Sequence, residues 1–197
     1  MPSAINVIRS EHRSIAAVLH GLLYLIGEIR AGRSDARFDA LRAMVHYIDA
    51  FPERLHHPKE DRYLFLALRK RTGEANAALD RLEQQHQQGA EMIRHIEQAL
   101  LRYEQGGAQF FEAFASRASE YADFNWRHMR EEEDAILPLA ERVLTAEDWE
   151  VIDNAFAGND DPLLGIEPRR DYERLFTRIV MLVPPPIGIG PSDACAS

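Results

Sequence analysis

One pattern occurs twice in this chain: His12 followed by His56 and Glu60, then His86 followed by His128 and Glu132. The histidine-to-histidine gaps are 44 and 42 residues, and each second histidine carries a glutamate four positions on. A half-site used twice predicts two helical hairpins face to face, each offering two imidazoles and one carboxylate to a shared centre. Imidazole and carboxylate without thiolate suit iron or manganese and permit zinc. His12 and His56 then serve one ion, His86 and His128 the other, while Glu60 and Glu132 bridge. A bridging oxo or hydroxo group brings each member of a pair of iron ions to about five ligands, one short of an octahedron. The open position suits dioxygen, nitric oxide or peroxide.

The elements that must position these residues are helices. Apolar residues return at Ile8, Ile15, Leu19, Leu22 and Ile26 in a first helix, from about Ile5 to Ala31, and His12 fills the slot between Ile8 and Ile15. A second runs from about Asp35 to about Arg71 and carries His56 and Glu60, with Pro52 and Pro58 expected to bend it. A third opens near Glu74, carries His86 and stops at Gly106-Gly107; a fourth carries His128 and Glu132. All six candidate ligands fall on the apolar stripe of their own helix, where a titratable side chain is costly unless something compensates it. Four amphipathic segments with short polar connections predict an all-α, up-down-up-down four-helix bundle over residues 1–144. Two short helices are expected in residues 145–183, one starting at Thr145 with Trp149, Ile152 and Phe156 as its apolar face and one from Arg169 to Val183, both covering the bundle. The Pro/Gly/Ser-rich residues 184–197, with Cys195, read as a disordered tail.

Composition narrows the classes. A chain of 197 residues that is 46% hydrophobic supports one domain with a real core. The net charge of −9, with basic residues dispersed, gives no electrostatic footprint for nucleic acid or an anionic membrane. A single cysteine excludes an internal disulfide and any thiolate-rich metal site. The N-terminal residues form no secretory leader and no apolar run reaches spanning length, so the expected location is the cytoplasm.

The two His-x-x-x-Glu pairs, the string His56-His57-Pro58-Lys59-Glu60-Asp61 with Tyr63-Leu64-Phe65 after it, and His128-Met129-Arg130-Glu131-Glu132 with Ile136-Leu137-Pro138 resemble the hemerythrin-like HHE cation-binding domain, over about residues 5 to 144. The resemblance implies a non-haem di-iron site carried by His12, His56, Glu60, His86, His128 and Glu132. Oxygen-carrying members have a further histidine one turn after the third-helix ligand, where this chain has Ala90. That leaves the second iron less saturated and speaks against oxygen carriage by the usual route. The four-histidine, two-glutamate set is more similar to the bacterial members linked to repair of iron centres after nitrosative or oxidative stress, although their cysteine-containing N-terminal segment is not found here.

Other residues compete for roles. His57 lies about a hundred degrees round the helix from His56, which favours a supporting place unless the Pro58 bend turns it inward. His20, His46 and His95 read as surface or packing residues, and Glu11, Glu131 and Glu133 as solvated charges. Tyr24, Tyr121 and Trp126 are candidates to line the centre. Glu53-x-x-His56 and Glu83-x-x-His86 match the ferritin-like di-iron motif, but on consecutive helices, with Asn125 where the fourth helix would need a glutamate. The leading functional reading is a protein binding or sensing dioxygen, nitric oxide or iron itself in oxidative or nitrosative stress. A second is a di-iron oxidoreductase or an iron donor for damaged centres; its turnover would require a separate reductase. A third is a metal-free helical interaction module.

Overall fold

The computed structural model describes residues 3–157. The helix expected at Arg169–Val183, the tail and Cys195 lie outside the described residues. Helix α1 (Ser3–Arg30) buries Ile5, Ile8, Ile15, Leu19, Leu22 and Ile26, and ends at Gly32, whose φ of 69° is one that glycine adopts without steric cost. The second helical column runs from 38 to 71 without a break, through α2 (Phe38–Ile48), a π-helical stretch Asp49–His56, the short α3 (His57–Lys59), a second π-helical stretch Glu60–Phe65 and α4 (Leu66–Arg71). The third column is α5 (Asn76–Gly106), terminated by Gly107 at φ 81°. The fourth follows a single 3-10 turn and comprises α6 (Phe111–Glu131), a π-helical stretch Glu132–Ile136 and α7 (Leu137–Val143). No strand occurs among the described residues.

Each column neighbours two others: α1 packs on α2 and α6, and α5 packs on α2 and α6. With connections this short the columns alternate in direction, giving the up-down-up-down bundle expected from the hydrophobic periodicity.

The prolines expected to bend the second column are accommodated by widened turns. A proline inside an α-helix has no N–H to donate and clashes with the carbonyl four residues back. Here Pro52 sits within the π-helical stretch, and its own carbonyl accepts from His57 N–H, five residues on. Ahead of Pro138 the same shift occurs, Leu137 N–H donating to the Glu132 carbonyl. A wider turn also narrows the angle between consecutive side chains. His56 and His57 are both buried, at 1% and 4% exposure, although neighbours on an α-helix face different ways.

The core is divided. One hydrophobic cluster holds Ile15, Leu19, Phe51, Ile93, Phe114 and Ala122; the other holds Ile5, Ile8, Leu64, Leu82 and Ile136 with the face of the last helix. Every column passes from one cluster to the other through its candidate ligands: α1 at His12, the second column at His56 and Glu60, α5 at His86 and the fourth at His128 and Glu132.

Helix α8 (Ala146–Phe156) closes one end. Thr145 caps it as expected: its hydroxyl accepts from Asp148 N–H, and the Asp148 carboxylate accepts from Thr145 N–H at 2.9 Å. Trp149, Ile152 and Phe156 are buried in the second cluster, and Asp153 accepts from the Ala4 backbone N–H at 2.7 Å. Thr145→Ala should lower the stability of the metal-free chain by about 1 kcal/mol, read as a lower urea midpoint with unchanged slope.

Candidate metal centre

The six residues singled out by spacing meet in one buried cluster. His12, His56, Glu60 and Glu132 each contribute one donor atom to a set lying within 4.8 Å of one another, and so do Glu60, His86, His128 and Glu132. The carboxylates belong to both sets, and their oxygens divide between them. Glu60 Oε1 lies 3.4 Å from His56 Nε2 and 3.8 Å from His12 Nε2, while its Oε2 lies 3.8 Å from His86 Nε2. Glu132 Oε2 lies 3.3 Å from His12 Nε2, and its Oε1 lies 3.4 Å from His128 Nε2 and 3.6 Å from His86 Nε2.

His86 Nε2 and His128 Nε2 are 3.1 Å apart. Two nitrogens bound to one ion at about 2.1 Å and at a right angle stand about 3.0 Å apart. The pair therefore has the spacing of adjacent ligands.

Each of these imidazoles turns its other nitrogen outward onto an acceptor. His12 Nδ1 pairs with Glu133 at 2.9 Å, His56 Nδ1 with Glu11 at 2.7 Å, His86 Nδ1 with Asp61 at 2.8 Å and His128 Nδ1 with Gln85 at 2.8 Å. Such contacts fix the tautomer with Nδ1 protonated and aim Nε2 at the centre, as the outer partners of metal-bound histidines do. The expectation that Glu11 and Glu133 are merely solvated is thereby corrected. Glu11 is 1% exposed, because the interface between α1 and the second column closes over it with His56 as its partner. Glu133 stays partly exposed but reaches His12; Glu131 pairs with Arg81 at the surface. Asp61 and Gln85 escaped the sequence reading altogether.

The inward atoms are left without partners. His12 Nε2, His56 Nε2 and both oxygens of Glu60 and of Glu132 are buried and make no hydrogen bond. An unpaired buried polar group costs about 1–3 kcal/mol, and more if charged, so a cluster of them calls for a cation. Phe51 and Phe65 stand against His56 and His86, at ring separations of 6.0 and 5.7 Å, and keep the surroundings apolar. An open cleft of about 350 Å³ has His12, Met129 and Glu133 in its wall. The clefts beside His95 and beside His46 contain none of the clustered residues.

His20, His46 and His95 are exposed, as expected, and His20 lies on Trp126 at 4.8 Å. Tyr121 is buried and donates to Glu53 Oε1 at 2.6 Å. Glu53 and Glu83 join neither shared cluster, Glu83 pairing with Arg69 at 3.0 Å, so the ferritin-like assignment finds no support in this geometry.

Protons compete for the same atoms. Burial, and then the neighbouring Glu132 carboxylate, push the Glu60 carboxyl well above the usual carboxylate range. Burial opposes charge on Glu132 too, but His128, His12 and His86 hold it well below that range. Burial disfavours charge on His12 and His86; Glu132 with Glu133 at the first, and Asp61 with Glu132 at the second, outweigh it and raise both to about 9. Burial drives His56 down and takes His128 to about 3.

The sequence profile of the hemerythrin HHE cation-binding domain matches residues 3–140, most of the chain, and the chain belongs to that family. No curated protein matches it.

Near neutrality a metal ion must displace protons from His12, His86 and Glu60, so binding should release protons and tighten as pH rises from 6 to about 9. The metal-free fold should behave oppositely: stability from the raised histidines is complete below about 6.5 and is lost as pH rises through about 9. Anaerobic calorimetry in two buffers of different protonation enthalpy, with melting curves across the same range, measures both slopes.

Proposed function

We propose that this hemerythrin HHE protein holds a pair of non-haem iron ions and uses them to bind or sense a small ligand, dioxygen or nitric oxide, under oxidative or nitrosative stress. The observation that carries the reading is the division of the Glu60 and Glu132 oxygens between the two histidine pairs. A carboxylate with one oxygen toward each of two ligand sets is arranged to bridge two ions. His12 and His56 would hold one ion, His86 and His128 the other. A pair of iron ions supplies redox change at each metal and an open position for a diatomic molecule.

The chain's own residues set the conditions for that chemistry. Glu11, Glu133, Asp61 and Gln85 hold the Nδ1 protons, orient the rings and make the inward nitrogens better donors. Glu60 and Glu132 would offset part of the positive charge of bound ions in a low-dielectric site. Phe51 and Phe65 limit water, which restrains side reactions of a bound gas. The cleft beside His12 and Glu133 is the approach for a small molecule.

A purely structural helical module would leave the six inward atoms uncompensated and would gain stability when they are removed. The metal reading expects the reverse. His56→Ala and His128→Ala should each lose iron and melt earlier than the iron-loaded parent, since an ion at a hundred times its dissociation constant adds about 2.7 kcal/mol. Metal analysis with optical spectra in air, after anaerobic reduction and after adding nitric oxide tests the rest. Two irons per chain and a ferric absorption that bleaches on reduction and responds to nitric oxide are expected. Absence of iron after anaerobic reconstitution would overturn the proposal.

A further inference from the structure

Among the described residues, His57 is the buried histidine that the six-residue set leaves over. Its ring centre lies 4.3 Å from that of His86 and 5.2 Å from that of His128. One nitrogen of each ring falls within 4.8 Å of the others. The His57 ring lies stacked on that of His86, 8° from parallel, and edge-on to that of His128, so reaching an ion that those two would hold requires it to turn about its Cβ–Cγ bond. We infer that His57 is a fifth imidazole ligand, which would join His86 and His128 on the second ion. The inference rests on the two-ion reading above.

As with the other four imidazoles, an acceptor stands behind the ring, here at longer range: Nδ1 of His57 faces Glu53 Oε2 at 3.4 Å, and neither atom makes a hydrogen bond. With Nδ1 turned to Glu53, Nε2 is the nitrogen left for metal. Glu53 is in turn fixed by Tyr121, whose hydroxyl donates to its other oxygen at 2.6 Å. That same oxygen lies over Gly89, where an added Cβ would come within 2.9 Å of it. Gly89 is buried three residues beyond His86, so α5 presents no side chain there, and the second column fills the space with the Glu53 carboxylate. The ligand that Ala90 fails to supply from the third helix comes from the second, and the widened turns around His57 are what bring it inward.

The test is anaerobic Fe(II) titration of the full chain, with near-infrared magnetic circular dichroism of the loaded protein, whose bands report the coordination number of each ion. His57→Phe keeps a ring against His86 but cannot ligate; His57→Ala removes the ring. Melting of the metal-free proteins checks that each folds. The second ion should bind at least about tenfold more weakly in both variants, with its bands shifted to lower coordination and the first ion unchanged. Glu53→Gln should show a smaller loss in the same ion. If folded His57→Phe binds both ions with parental affinity and bands, His57 is a packing residue and the inference fails, while the two-ion reading stands. If the parent binds no iron, both fail together.

Discussion

The bundle is organised around a buried layer of imidazoles and carboxylates, several of whose inward atoms its own side chains leave without hydrogen bonds. Four helices each pay desolvation for imidazole or carboxylate groups near the middle of their length, and His12 Nε2, His56 Nε2 and the Glu60 and Glu132 oxygens, all aimed at the centre, have no hydrogen-bond partners. Hydrophobic burial above and below supports the layer, but only something placed between the four columns can satisfy it.

The carboxylates and imidazoles are not equivalent within the layer. Glu60 and Glu132 point inward and span the centre, while Glu11, Asp61 and Glu133 face the backs of the rings. Inner carboxylates face two sets of imidazoles; outer ones decide which ring nitrogen carries a proton. The gradient from Glu11, almost fully buried, to Glu133, partly exposed beside a cleft, gives the centre a closed side and an approachable side. His12, whose outer partner is the exposed one, stands on the approachable side.

The sequence disclosed the columns and the inward residues because both are written in the helical period. His12 interrupts an apolar stripe between Ile8 and Ile15, and a titratable group there announces itself. Glu11 does not, since an acidic residue one step off the stripe looks like any solvated charge; only the tilt and separation of α1 and the second column bury it. Asp61 and Gln85 are hidden for the same reason, each reaching a histidine on another column. The π-helical turns were illegible because they alter hydrogen-bond partners without changing the residue pattern. The burial of His57 could not be read from spacing on that account: its angle from His56 follows the α-helical period, and the wider turns on either side do not keep to it. Gly89 left no signal, since an absent side chain matters only once Glu53 is known to lie over it.

Dividing the hydrophobic core in two has a dynamic consequence. The cluster that includes both Ile5 and the α8 face gathers the beginning and the last turns of the described chain, and it joins the larger cluster chiefly through the polar layer. Such a part can open as a cooperative unit below the cost of global unfolding. An ion exchanging with a centre whose ligands are nearly sealed from solvent then has a route through this partial opening, and its residence time is set by how firmly the smaller cluster stays shut. A cation held there would tie the two halves together, so loading would slow the motion that permits release.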